Sequence, residues 1–445
     1  MEEILLDAVA YVGESPTATA SDLTRNGETI EVSFSPAHPP LPSRLHVHSG
    51  AGAFPENPRV LRMVDGVILL RVAIRSAQPN CSIRKEERDD YFVYRVDRNQ
   101  LRRLPPHPVS FRDDEVGLLP RGDDHFTVAA LVGTGNSSAY LLHLLHSETW
   151  RWRSIRVPVE RPQQELRIGR NWKASRLASH WNSTVITLGG QGGTMGWVDL
   201  WRGILLCDVL SPNPALKGVP LPLPAQLQRN ERNGDDLGSP KPYRGIAYVK
   251  ENRCLHFVEL ETRGVCLSEI DDETGLPLRR FDSWKVTSWS NSNMTDAIGD
   301  WEMVCEKPVK AKHIEIDKRM RIQLEGYRLL HRPKASPQAS LRRGLQNLWV
   351  FQPIPSMDSI SVVYLMIGAK FLDSKAWVLA VDMRNNQLQG VSEFGTEREP
   401  GEGIVCCPGS VSAHEMSAAT SQASTVGCAE APEGGRNGRQ THGRT

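Results

Sequence analysis

Up to about residue 390 the apolar residues of this chain come in short runs of β-branched and aromatic side chains, each closed by Gly, Pro, Asn or Asp. Such runs are strand-and-turn punctuation, and apolar residues scarcely recur at the 3.6-residue spacing an amphipathic helix needs. Strands are expected at 4–12, 29–34, 44–48, 67–73, 91–96, 126–132, 139–145, 154–157, 184–188, 196–200, 204–209, 245–249, 254–260, 265–270, 283–288, 313–316, 361–367 and 376–382. So many short strands with turn signals between them point to an all-β fold of antiparallel sheets, as a sandwich, a barrel or a propeller.

A loose internal repeat favours the propeller. Several strands end on an acid, turn, and lead into a second short run closing on Leu, Val or Pro, as at 91–97 before 101–106 and at 204–208 before 219–222. The acids Asp97, Glu148, Asp208, Asp271 and Asp382 are spaced by 51, 60, 63 and 111 residues, the last gap being close to two periods. A period of roughly 50 is that of kelch-type propeller blades, whose sheets bury both faces only against neighbours around an axis. The expected organisation is one β-propeller-like domain over 1–400 with long loops, 226–242 among them, and a disordered tail over 401–445. That tail of 45 residues holds eight glycines and no aromatic residue, too little apolar surface to order itself.

Composition excludes several function classes. With 53 Lys and Arg against 52 Asp and Glu in 445 residues, the chain has no overall field to draw it to nucleic acid or an anionic membrane. The longest apolar runs, 64–74 and 200–210, are broken by Asp65, Gly66 and Arg71 and by Arg202 and Asp208, short of a membrane span. Glu2 and Glu3 stand where a secretory signal needs positive charge, so an intracellular location, cytoplasmic or nuclear, is expected rather than secretion. The eight cysteines form no CxxC pair and read as reduced, mostly buried thiols.

Candidate chemistry is sparse. The segment 133–138 imitates a glycine-rich dinucleotide loop but lacks the third glycine and the helix that must follow, so it reads as a hairpin loop, as does 189–193. His143 and His146 are three apart and would point to opposite faces of a strand; Asp123, Asp124 and His125 find no further spaced partner, and His46 with His48 make half a site at best. No GxSxG elbow occurs and no cysteine sits in a catalytic context. Catalytic, cofactor-binding and metal-binding residues are therefore expected to be none. Trp150, Trp152, Trp197, Trp201, Trp284, Trp289 and Trp301 read as aromatics packed between sheets rather than as a binding rim. The basic stretches 307–321 and 328–343 read as solvated edges and loops more than as a nucleic-acid face.

The segment 197–208 (WVDLWRGILLCD), followed by VPLP at 219–222, resembles the plant family that shares domain of unknown function 1618. Supporting likenesses are ILLDAVAY at 4–11, WKV at 284–286 with Asp300 and Trp301, VVYL at 362–365 and the run 377–384; the end from Gly401 departs from the family's usual close. The resemblance implies an uncharacterised plant protein with a β-rich, propeller-like fold akin to F-box-associated domains, and no catalytic residues to carry over. The leading functional expectation is a non-enzymatic scaffold that binds another protein through loops such as 189–195 and 226–242, with no cofactor. A hydrolase-type enzyme whose site is invisible in sequence, and a nucleic-acid or regulatory binder using the basic 307–343 region, are the alternatives.

Overall fold

Strand runs become sheets because each hairpin buries one run against the next. The computed structural model describes residues 1–13, 19–50, 52, 54–74, 89–107, 111–122, 124–134, 139–161, 179–224, 238–270, 277–330, 344–368, 375–395 and 405–417. The chain opens with β1 (Glu2–Asp7), β2 (Tyr11–Val12), β3 (Ala20–Leu23), β4 (Thr29–Ser35) and β5 (Pro42–Ser49). Then come β6 (Arg59–Val64), β7 (Val67–Ala73), β8 (Asp89–Arg95) and β9 (Gln100–Arg103), an antiparallel meander. A second meander follows in β10 (Val116–Arg121), β11 (His125–Gly133), β12 (Ala139–His146) and β13 (Arg151–Arg161). The third is β14 (Thr184–Gly189), β15 (Thr194–Asp199), β16 (Gly203–Asp208) and β17 (Leu216–Pro220), joined to the second by a parallel contact of β13 with β17.

In the fourth, β18 (Arg244–Val249), β19 (Cys254–Ile270) and β20 (Pro277–Asn291) are completed by two fragments, β21 (Glu302–Met303) and β22 (Val309–Lys310). Helix α1 (Lys318–Gly326) precedes the fifth sheet, which is β23 (Trp349–Pro355), β24 (Val362–Gly368), β25 (Ala376–Asp382) and β26 (Gln387–Phe394). The last strand, β27 (Cys406–Val411), returns to the start of the chain and pairs antiparallel with β1, from Glu2 opposite Val411 to Asp7 opposite Cys406.

The first strands of successive sheets touch in order: β27 with β6, β6 with β10, β10 with β14, β14 with β18, and β18 with β23. Gln352 of β23 closes the ring on β27, its side-chain amide donating to Cys406 O at 2.7 Å and accepting from Cys406 N at 3.1 Å. The expected all-β, propeller-like architecture is the one observed, with six sheet units among the described residues, two of them merged into one eight-stranded sheet by the β13–β17 contact. Every residue of β8 and of β25 is buried, because each sheet has a neighbour against both faces. Tryptophans fasten adjacent sheets: Trp197 Nε1 donates to Glu115 O at 2.8 Å, Trp301 to Pro220 O at 2.7 Å and Trp284 to Leu345 O at 2.6 Å.

Three expectations need correction. First, the segment taken as a disordered tail from 401 contains β27 and a helical turn at 413–417, with Val411 and Met416 buried; residues 401–404 and 418–445 lie outside the described residues. The strand was missed because Pro408 and Gly409 break its β pattern, yet Gly409 is what fits: a Cβ there would lie 2.8 Å from Met63 Cβ. Second, Asp97, Glu148, Asp208 and Asp382 do stand at the turn from third to fourth strand, whereas Asp271, itself outside the described residues, falls between the second and third strands of its sheet. The fourth sheet's split outer strand and the helix that follows lengthen the last interval. Third, the strand expected at 313–316 is reduced to a single parallel bridge of Glu315 with Gln387 between a 3-10 turn at Ala311–His313 and α1. Only Met320 and Leu324 of that helix are buried, too few for a legible period, and Asp317 caps it by accepting from Met320 N at 2.6 Å.

Candidate functional site

Five of the six sheet units, with the turn before β10, line a cavity of about 260 Å³ on the axis, near the starts of most of the inner strands. Its polar groups come from separate connections: Arg59 and Arg62 from β6, Asp113 and Asp114 from the turn before β10, Lys241 from the connection before β18, and Arg244 from β18 itself. Leu61, Ile246 and Ile354 supply apolar wall.

Most of these charges are paired. Lys241 Nζ lies 2.6 Å from Asp114 Oδ1, and Arg71 Nε lies 3.4 Å from Asp113 Oδ1. Arg244 is fully buried, with Nη1 donating to Leu200 O at 2.6 Å, Nη2 donating to Pro222 O and Nε 3.3 Å from Glu259 Oε1. Burial pulls its guanidinium below the usual arginine range and the Glu259 carboxylate opposes that. Arg62 is held in a similar way: its Nη1 donates to Leu61 O and its Nη2 to Asp113 O at 3.3 Å, while its Nε–H, like that of Arg244, makes no hydrogen bond. Burial lowers this guanidinium too, against the pull of Cys407, Asp114 and Asp113. The Cys406 and Cys407 thiols beside it are pushed up by burial, away from the thiolate that attacks or binds metal.

Histidines singled out in the sequence take structural posts. His143 and His146 lie in β12 on opposite faces; His143 Nδ1 is 2.8 Å from Ser154 Oγ, and His146 Nδ1 is 2.9 Å from Thr127 Oγ1. Although Ser154 and His143 form a serine–histidine pair with the serine exposed, the other ring nitrogen of His143 has no partner, so no acid orients the ring as a nucleophile's base requires. Asp124 pairs with Arg98, and His46 packs against Tyr11 with ring centroids 5.5 Å apart and planes tilted by 32°. Among the described residues no group of three His, Cys, Asp or Glu could hold a metal. The loop 189–193 is a hairpin between β14 and β15, with Gly189, Gly190 and Gly193 at positive φ. For 133–138, residues 135–138 lie outside the described residues, but the strands on either side pair antiparallel, as a hairpin demands and a dinucleotide loop forbids. Of 226–242 the described part is 238–242, and it delivers Lys241 to the axis; 331–343 of the basic region lie outside the described residues.

Sequence reasoning missed Arg62, Lys241 and the Asp113–Asp114 pair, because they lie in separate stretches of the chain. The doublet of acids just before β10 was the only local signal.

A second feature lies at the rim. Beyond Leu260 the β19–β20 pair leaves the sheet as a two-stranded ribbon that runs from Thr262 opposite Trp284 to Ile270 opposite Pro277, its register shifting after Arg263 and again between Cys266 and Ile270. At roughly 3.3 Å per residue the ribbon extends about 25 Å. A register shift at Gly264, where a Cβ would lie 2.4 Å from Arg280 O, bends it. Val265 is 45% exposed and Ile270 62%.

Among the described residues no helix is long and apolar enough to cross a membrane. No curated protein matches the chain. Among solved structures, the crystal structure of polysaccharide lyase Uly1 is similar at 10% identity and a TM-score of 0.29, over 91% of this chain and 92% of that one; a likeness that small carries no argument. Residues 197–364 match the model of a family described as "Protein of unknown function (DUF1618)". The matched stretch begins at Trp197 in β15 and ends at Tyr364 in β24, and it contains the WVDLWRGILLCD segment on which the resemblance was read. Over residues 197–364 the chain is thus similar to the DUF1618 family, while the likenesses read at 4–11 and 377–384 lie outside the matched stretch.

Proposed function

We propose that the chain is a protein-binding scaffold whose contact surface is the outer half of the β19–β20 ribbon. The observation that carries the reading is the ribbon itself. Among the described residues no third strand pairs with the outer half of this hairpin, an arrangement that is marginal in water, and the hairpin also exposes Val265 and Ile270. A partner with an apolar groove would cover both side chains and supply the missing layer. The loops 189–195 and 226–242 support the reading less: Gly193 is wedged against Leu119 and Leu210, and Lys241 faces the axis.

The test uses the exposed thiol of Cys266 on the ribbon. A short thiol-reactive crosslinker on Cys266 should trap a partner protein, and Val265→Ser with Ile270→Ser should abolish the crosslink without moving the unfolding midpoint. Crosslinking unaffected by the double substitution would remove the ribbon from the interface. A product made of two copies of this chain would replace the partner by self-association.

A further inference from the structure

The outer edge of the second meander is a surface of a different kind from the ribbon and independent of it. We propose that β13 receives an extended acidic peptide, added as a further antiparallel strand along 151–158 and held by Arg151, Arg153 and Arg156.

The edge comes first. β12 pairs with β13 from Arg151 to Pro158, and β17 meets β13 only at Val159 and Arg161. Among the described residues no strand lies along the other edge of 151–158. At about 3.3 Å per residue this edge runs roughly 25 Å, and its main-chain donors and acceptors are open to a strand of another chain.

Charge then selects the strand. Arg151, Arg153 and Arg156 are exposed, 151–158 contains no acid, and among the described residues none of the three arginines meets an acidic partner. Opposite them on β12 stand His146, Leu144 and Leu141. Glu148, in the turn that leads into β13, is held by Arg121, and Glu160 lies beyond the open edge. The flanking outer strands contribute Arg102 and Arg103 in β9, with Asp22 accepting from the backbone N of Arg103, and Lys217 in β17. A second copy of β13 laid antiparallel on this edge would set Arg151 against Arg156, so the surface rejects its own kind and suits carboxylates.

The pleat sets the spacing. Ile155 and Val157 pack in the cluster around Trp197, and Trp152 packs in the one around Phe111. Arg151 and Arg153 therefore share one face of the strand and Arg156 takes the other. An added antiparallel strand puts its side chains on the same two faces, so acids in the order Glu-x-x-Glu-x-Glu meet Arg156, Arg153 and Arg151 in turn. Nucleic acid fits less well, because the aromatic faces on which bases would stack are taken. The Arg102 guanidinium lies 3.4 Å over the Trp150 ring, and Trp152 packs on Phe111 with its Nε1 donating to Pro105 O at 3.1 Å.

The experiment is fluorescence-anisotropy titration of the full chain with the labelled peptide TEVTETEV at about 50 mM salt, where exposed charge pairs are little screened. The neutral peptide TQVTQTQV should bind about tenfold more weakly, the size of three exposed pairs together. The protein with Arg151→Gln, Arg153→Gln and Arg156→Gln should lose the same factor toward TEVTETEV with its unfolding midpoint unmoved. TEPPETEV keeps every charge but lacks two successive N–H groups, and it too should bind about tenfold more weakly. Equal affinity for the glutamate and glutamine peptides, or no loss in the triple variant, would overturn the role of the arginines. Proline peptide bound as tightly as TEVTETEV would overturn strand addition. Tighter binding of an oligothymidylate of matching length would overturn the peptide as partner, and no saturable binding of any probe to folded protein would overturn the surface.

Discussion

Glu3 shows how far one residue can be displaced from its ordinary chemistry. It sits in β1 against the fifth sheet, with Oε2 accepting from Ser356 Oγ at 2.7 Å and Tyr364 Oη at 3.1 Å, and Oε1 accepting from Met357 N at 2.7 Å. Burial outweighs these donors and pushes its carboxyl up to about 7. The folded chain thus holds a proton that the unfolded chain releases near 4.5, so stability falls as pH rises from about 4.5 to about 7 and stays lower above that. The change attributable to Glu3 is roughly 3 kcal/mol or less. Glu3→Gln imitates the protonated carboxyl and should flatten the difference between urea unfolding at pH 5 and pH 8; an unchanged pH slope in that variant would assign the effect elsewhere. A neighbouring group, Asp358, whose Oδ2 accepts from Glu3 N at 3.1 Å, is raised by burial as well and acts with the same sign. None of this was visible in the run MEEILLD, where Glu3 reads as a surface acid. The tryptophans are the opposite case: a large apolar residue at a strand end must be buried somewhere, and Trp197, Trp284 and Trp301 are.

At the scale of elements, most strands were legible, although β3, β6, β10, β23 and β27 were not, and strand partnership was not. Period and punctuation are local, and they survive in nearly every strand read from the sequence. Which edges meet depends on close approaches between residues far apart in the chain. Gly245 is the clearest: a Cβ on it would lie 2.1 Å from Pro353 O, so β18 and β23 can seat only because the side chain is absent. Gly245→Ala should therefore destabilise by about 1–3 kcal/mol, the usual cost of overpacking against backbone, measured by urea unfolding at pH 5. A loss below about 0.5 kcal/mol, the range of an ordinary surface substitution, would mean that the two sheets can slide apart freely. Helix α1 was illegible for a different reason. Nine residues with two buried side chains give no periodicity to read, and its stability rests on the Asp317 cap and on Gln323 Nε2 donating to Val391 O at 3.0 Å.

At the scale of the whole molecule the ring is closed by β27, which stands between β1 and β6. Ending the chain at residue 404 would strip β1 of its antiparallel partner, leaving its short parallel pairing with β5, and would bare Met63. That truncation should lower the thermal midpoint by at least roughly 5 °C, the shift that a loss of a few kcal/mol gives in a chain this size, whereas ending the chain at 417 should leave it unchanged. Identical melts for the two truncations would show that the ring holds without its last strand. By itself the sequence determined the fold class, the approximate repeat and the burial of its aromatics, because strand period, turn chemistry and hydrophobicity act over a few residues. Only the tertiary structure decided the number of sheets, the closing strand and the axial cluster of Arg62, Lys241 and the Asp113–Asp114 pair. Those depend on residues up to hundreds of positions apart being brought within a few ångströms, and a chain carries no local mark of what will face it across an axis.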